Sequence, residues 1–190
     1  MPGEAAIEST CPICTEALTF RFNTNEIPFF GDIMLVSANC ACGFRYADTI
    51  TLNEREAARY EMKFGSEDFT TRVIRSASGT VQIPELGVIV EPSSGSEAFI
   101  SNVEGVLCRV EDVIQMATKW SCNDPEKFEL GNRLLELIDT VRRGEQKMTL
   151  IIDDPFGNSV IVSPQARRRA LSKSEAEGLK TGVITIDVSE

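Results

Sequence analysis

Histidine is absent from this chain of 190 residues. That excludes the Ser-His-Asp and Cys-His nucleophile systems, histidine general bases and every zinc site with an imidazole ligand. A basic excess is missing as well: 29 acidic against 19 basic side chains give a formal net charge of -10 and a sequence pI near 4.7. Bulk nucleic-acid binding depends on Lys and Arg neutralising phosphates, so this balance argues against it and fits a protein partner better. No window approaches the apolar length of a membrane span, and Met1-Pro2-Gly3-Glu4 lacks the basic and apolar regions of a signal peptide. A cytoplasmic location is expected. Internal repeats and long low-complexity stretches are also lacking. What remains is a globular profile, 42% apolar. A chain of this length buries roughly 70% of its unfolded surface and needs no disulfides to hold a core.

Six cysteines carry the strongest chemical signal. Cys11 and Cys14 bracket Pro12-Ile13, and Cys40 and Cys42 flank Ala41 ahead of Gly43-Phe44. Two close pairs in a cytosolic chain point to a structural metal site rather than to disulfides, because tetrahedral zinc takes four thiolates and a tight turn brings both sulfurs of a pair to one side. Glycine after the last ligand relieves such a turn. The second pair has one intervening residue where a standard knuckle has two. With Cys11, Cys14, Cys40 and Cys42 all ligating one zinc ion, no coordination position stays open, so the metal is expected to support folding and not chemistry. Buried or redox-active thiols are the competing reading. Between the pairs, Leu18, Phe20 and Phe22 alternate with polar residues as in a half-buried strand, Asn23-Thr24-Asn25-Glu26 reads as a turn, and Ile33-Met34-Leu35-Val36 as the returning strand. This outlines a zinc ribbon over residues 1–54. Cys108, among apolar residues, reads as a buried free thiol, and Cys122 falls on a helical segment.

Residues 55–190 read as a β domain with a helical hairpin inserted at about 102–144. Short extended runs, Tyr60–Phe64, Val73-Ile74, Val81–Ile83 and Gly87–Val90, are separated by Gly- and Ser-rich turns. Asn102 caps a first helix whose apolar stripe is Val103, Val106, Leu107, Val110, Ile114 and Ala117. Asp124 with Pro125 opens a second, striped by Phe128, Leu134, Leu135, Ile138 and Val141 and stopped at Arg142-Arg143-Gly144. The two stripes read as the hairpin's own seam. Strands return at Met148–Ile152 and Ser159–Val162. The tail carries Arg167-Arg168-Arg169, a polar stretch through Gly178, and a last apolar run, Val183–Ile186.

Together these residues resemble the ZPR-one zinc-finger family. The resemblance rests on Cys11-Pro12-Ile13-Cys14, Ile27-Pro28-Phe29-Phe30-Gly31, Cys42-Gly43-Phe44, Ile83-Pro84-Glu85-Leu86, Val103-Glu104-Gly105, and Ile151–Pro155 through Gly157-Asn158-Ser159. These segments keep family order from residue 11 to about residue 162. The resemblance implies a mainly β fold, a zinc ribbon followed by a double-stranded β-helix domain with a helical-hairpin insertion, in the single-module form of archaeal relatives. It also implies a folding factor for the translation elongation factor one-alpha type GTPase.

Other segments invite functional readings. Ile27-Pro28-Phe29-Phe30-Gly31, at the hairpin tip, reads either as an exposed apolar anchor for a partner or as a plug, by Phe29 or Phe30, between ribbon and β domain. Asp153-Asp154-Pro155 suggests paired carboxylates. Adjacent strand residues face opposite ways, however, and Asx-turn capping explains them with less. Arg167-Arg168-Arg169 reads as a solvated basic run, with contact to phosphate or an acidic partner as the sharper alternative. The leading functional expectation is a non-enzymatic, zinc-stabilised protein-interaction module, a chaperone or adaptor for an elongation GTPase. The alternative is a zinc-ribbon nucleic-acid-binding factor in translation or transcription. An enzyme using the β domain's interior ranks third.

Overall fold

Cross-strand pairing, more than local turn chemistry, sets the first sheet. The computed structural model describes residues 4–27, 31–52, 55–93 and 96–181. The chain divides into two compact units, residues 1–54 and 55–190. In the first, β1 (Glu4–Thr10), β2 (Ala17–Ile27), β3 (Gly31–Asn39) and β4 (Arg45–Thr51) form one antiparallel sheet in chain order. The turn expected at Asn23–Glu26 is strand: Asn23 pairs with Leu35, Asn25 with Ile33 and Ile27 with Gly31. Turn-favouring Asn residues yield there because β3 is held from both sides, and its buried Ile33, Val36 and Ala38 set a register that carries β2 along. Ala38 lies between Phe20 of β2 and Tyr46 of β4, and its small side chain lets the two rings meet edge to face at 5.6 Å. β1, exposed along its whole length, carries Glu4 and Glu8 on an open edge, where charge discourages further strand addition. Pro28, Phe29 and Phe30 lie outside the described residues.

The second unit builds one core from two sheets and two helices. Its strands are β5 (Ala58–Phe64), β6 (Arg72–Arg75), β7 (Thr80–Ile83), β8 (Val88–Val90), β9 (Phe99–Asn102), β10 (Met148–Asp154), β11 (Val160–Val162) and β12 (Arg167–Ala170). Five form a sheet in the order β12-β5-β10-β7-β8, and three a sheet in the order β11-β6-β9. Alternate residues of β5 and β10 face inward as cross-strand partners, Phe64 opposite Met148 and Met62 opposite Leu150. Val73, Val81, Ile83, Ile152 and Ile161 complete the strand layer of the core.

The hairpin, α1 (Val103–Trp120) and α2 (Pro125–Arg142), enters between β9 of the small sheet and β10 of the large one. Both expected caps are present: Asn102 Oδ1 accepts from the Gly105 N–H at 2.7 Å, and Asp124 Oδ1 from the Lys127 N–H at 3.2 Å. The stripes are not a private seam. Val103, Val106, Leu107, Val110, Ile114, Ile138 and Val141 belong to the same core as the strands, and α1 lies against β6 and β9. Ala117 is exposed and Thr118 takes its inward place, returning its hydroxyl to Ile114 O at 2.7 Å. Phe128 is also exposed, and Gly131 is the buried residue of that turn. A Cβ at Gly131 would stand 1.9 Å from Thr118 Oγ1 and 2.9 Å from its Cβ, so the close approach of the helices requires glycine.

The basic run of the tail is exposed, as expected of a solvated run, and is strand β12, paired with β5. Arg168 meets Glu56 at 3.2 Å and Arg169 meets Glu175 at 2.7 Å. Glu175 closes a capping box with Ser172 at the start of α3 (Lys173–Glu177), inside the stretch read as merely polar. The Val183–Ile186 run lies outside the described residues.

Candidate metal centre

Each cysteine pair opens a tight turn closed by backbone hydrogen bonds. The Cys11 N–H donates to Glu16 O at 2.8 Å while Cys11 O accepts from Thr15 N–H at 2.9 Å; the Cys40 N–H donates to Phe44 O at 2.9 Å while Cys40 O accepts from Gly43 N–H at 3.0 Å. In both turns the residue after the second cysteine takes the left-handed conformation, Thr15 with φ 60° and Gly43 with φ 98°. The shorter Cys40-Ala41-Cys42 spacing is thus accommodated at Gly43, where positive φ is permitted. The first turn makes the same demand of a β-branched residue, which adopts that conformation only under strain.

The four sulfurs converge. Cys11 Sγ is 3.6 Å from Cys42 Sγ, Cys14 Sγ is 3.4 Å from Cys40 Sγ, and all four lie within 4.8 Å of one another. A tetrahedral zinc with sulfur ligands at about 2.3 Å places them about 3.8 Å apart. Protonation chemistry points the same way. Burial of Cys11 opposes its thiolate, but the N–H groups of Cys14 and Ile13 outweigh it and bring the thiol down to about 6. At Cys14 the Glu16 N–H favours the thiolate, yet Cys40, burial, Cys42 and Cys11 push the group up to about 12. One negative charge is easily placed here and further ones are resisted, so four thiolates need a cation among them. The donor set therefore fits zinc, and these four cysteines are positioned to bind one ion. Bound there, zinc ties β1–β2 to β3–β4 through two turns and leaves no open position for substrate. Among the described residues, the buried cluster around it is Cys11, Leu18 and Ala38, edged by Cys14, Phe20, Cys40 and Phe44.

The remaining candidates divide. Cys108 is half-buried and receives an N–H from Arg142 at 3.7 Å, and Cys122 is exposed; both are free thiols of the second unit. Ile27 and Gly31 end β2 and β3 as backbone partners. Asp153 and Asp154 are both buried and face different partners. Asp153 forms a two-point ion pair with Arg59, its opposite number on β5, with both contacts at 2.6 Å, and accepts from Gln82 at 3.0 Å. Asp154 accepts the expected Asx-turn bond from Phe156 N–H at 2.9 Å. It also gathers three hydroxyls: Ser76 at 2.6 Å, Ser159 at 2.6 Å and Ser78 at 3.0 Å. Sequence reasoning missed this buried network because Ser76-Ala77-Ser78-Gly79 reads as an ordinary turn. The carboxylate's oxygens are occupied, so the pair is structural and not an acid–base couple.

A closed four-thiolate ribbon, followed in the chain by a two-sheet β domain with an inserted helical pair, defines a zinc-finger protein whose larger domain is a jelly roll. Residues 5–50 match the ZPR1 zinc-finger domain and residues 67–178 the ZPR1 jelly-roll domain. A ZPR1-like protein of Methanocaldococcus jannaschii is 38% identical over 182 residues, covering 94% of this chain and 91% of its own. One of Pyrococcus horikoshii is 40% identical over 178 residues, covering 90% and 80%. The chain belongs to the ZPR1 family. The zinc finger chaperone zpr1 of Schizosaccharomyces pombe is 25% identical over 201 residues, which span 99% of this chain and 43% of that one. Among the described residues, no helix is long and apolar enough to cross a membrane.

Proposed function

We propose that the protein is a non-enzymatic, zinc-stabilised protein-interaction module, a folding chaperone or adaptor for a translation elongation GTPase of the one-alpha type. The observation that carries this reading is the outer half of the hairpin. Val113, Met116 and Trp120 recur at three- and four-residue steps along α1, and Phe128 and Leu130 stand on α2, all exposed, Trp120 by 78%. Large apolar side chains so displayed are the kind of anchor a protein partner buries. The chaperone name of the fission-yeast relative supports the same class of activity. A nucleic-acid role is weakened by the ion pairs that Arg168 and Arg169 already make.

Purified elongation GTPase, nucleotide-free, GDP-bound and GTP-bound, mixed with the zinc-loaded full chain, tests the reading by isothermal titration. Binding to at least one state, reduced tenfold or more by Trp120→Ser at unchanged zinc content, is expected. No binding to any state removes the GTPase partner. Nuclease-sensitive recovery of RNA from lysate instead favours the nucleic-acid alternative.

A further inference from the structure

The second unit contains a cavity of about 390 Å³ that none of the preceding roles uses. The β6–β9 ladder sets Arg75 directly opposite Phe99. Because α1 starts where β9 ends, its second turn brings Arg109 to the same ring. The guanidinium carbons lie 5.8 Å (Arg75) and 4.4 Å (Arg109) from the Phe99 centroid. Val81, Val106 and Val110 furnish apolar wall beside them.

Two cations on one ring repel each other, and the counter-charge is incomplete. Arg75 is 6% exposed; its Nε donates to Gly79 O at 2.8 Å and its Nη1 to Glu97 O at 3.4 Å, both neutral carbonyls. Its Nη2 is buried with no acceptor among the described residues. Asp154 favours the Arg75 charge through space, but its oxygens are held by the three serines and the Phe156 N–H. Burial, and secondarily Arg109, oppose the Arg75 charge. Arg109 forms no ion pair among the described residues, and the Glu97 side chain, exposed at the rim, is bonded to neither guanidinium. Arg75 is thus desolvated without a carboxylate partner, which is unfavourable, while Arg109 is exposed and keeps its planar fork free at the cavity, where it is suited to a bidentate anion whose charge also offsets that of Arg75. Walls of valine and phenylalanine call for an apolar body behind that anion. The volume falls in the range of small-ligand pockets.

We propose that this cavity binds a monocarboxylate carried on an apolar body, with the carboxylate on the fork of Arg109, near the charge of Arg75, and the apolar part against α1 and β7. Two sources share that chemistry, a free amphiphilic acid and a peptide chain ending in an apolar residue. Exposed Val113 is among the lining residues, and Met116 and Trp120 continue its face of α1.

The test uses the full zinc-loaded chain with 3-phenylpropionate and its neutral isostere 3-phenylpropanamide, followed by amide-proton NMR shifts. The acid is expected to shift the Phe99 and Val106–Val113 signals and to bind about tenfold more tightly than the amide. Arg109→Gln is expected to erase that preference while leaving zinc content and melting temperature unchanged; Arg109→Lys, which keeps charge without the planar fork, should retain part of it. An acetylated peptide ending in leucine, compared with its C-terminal amide, assigns the source: acid-selective binding of the peptide points to a chain terminus, and selectivity confined to the small acid points to a free ligand. Equal affinity for acid and amide, absence of shifts in that segment, or an acid preference surviving Arg109→Gln overturns the proposal. The acid–amide comparison on the unmodified protein stands even if a variant misfolds.

Discussion

The two units bury their interiors by different means. Around the cysteines the fully buried cluster is Cys11, Leu18 and Ala38, and two of the four strands lie at open edges. Residues 55–190 instead assemble a continuous core running from Met62 of β5 through Leu107 of α1 to Ile161 of β11. Beside the cysteines, where that cluster is so small among the described residues, an external cross-link is expected to hold the turns, as structural zinc sites do, whereas the larger domain is held by burial and by satisfied polar groups such as Asp153 and Asp154. One unit is therefore vulnerable to ligand chemistry and the other to packing.

The most damaging way to break that contrast is Cys14→Ser, or removal of metal by a chelator. Zinc content should fall from one ion per chain to none, with residues 4–52 losing amide-exchange protection and the second unit keeping its unfolding transition. Stoichiometric zinc persisting in Cys14→Ser would sink the four-cysteine assignment. The reciprocal experiment is Ile152→Ala, at a side chain with 0% exposure. It should destabilise the second unit by about 2–5 kcal/mol in urea denaturation while zinc remains bound. Gly131→Ala acts through overpacking, since its methyl would meet Thr118; a loss of about 1–3 kcal/mol, confined to the second unit, is expected from the same measurement.

Within the first unit, Thr15→Gly should relieve the left-handed strain and make zinc harder to extract by a competing chelator, a gain of about 1 kcal/mol less the entropy of an added glycine. The smallest effect is a pH response at the other end of the chain. The hydrogen bond from Arg169, then those from Ser172, hold Glu175 down from its ordinary 4.5 to about 2. A carboxylate with a lowered folded-state value contributes stability above its ordinary range and loses it as pH falls through the lowered one. Amide protection factors in β12 and α3, corrected for the intrinsic exchange rate at each pH, should therefore fall between about pH 4.5 and 2 and show no such change above pH 5. Glu175→Gln should flatten that response.

Legibility in the sequence followed the range of the interactions. The Asn102 and Asp124-Pro125 helix starts were readable because capping is a local exchange between a side chain and N–H groups three residues on. The alternation of Met62 and Phe64 was readable for the same reason, since a strand's period is carried by its own residues. Strand status at Asn23–Glu26 was not, because partners at Asp32–Leu35 overrode a local turn preference. Nor were the inward turn at Thr118, set by Gly131 of the other helix, and the incorporation of Arg167–Ala170 into the sheet of β5. For the candidate sites, both halves of the cysteine quartet could be seen as pairs, whereas the tasks of Asp153 and Asp154 depend on Arg59, Ser76 and Ser78, at least 76 positions away in the chain.

The sequence by itself determined the ligand chemistry and the punctuation of the fold. With no histidine and two cysteine pairs, any zinc must sit among thiolates, and glycine and cap residues mark where elements stop and start. Tertiary structure alone decided which polar groups are spent on stability and which lack a partner. Arg75, Phe99 and Arg109 come from a strand, its neighbour and a helix, and neither their shared ring nor the buried Nη2 could be read from spacing. Electrostatic balance in a protein interior depends on neighbours that only the folded chain supplies.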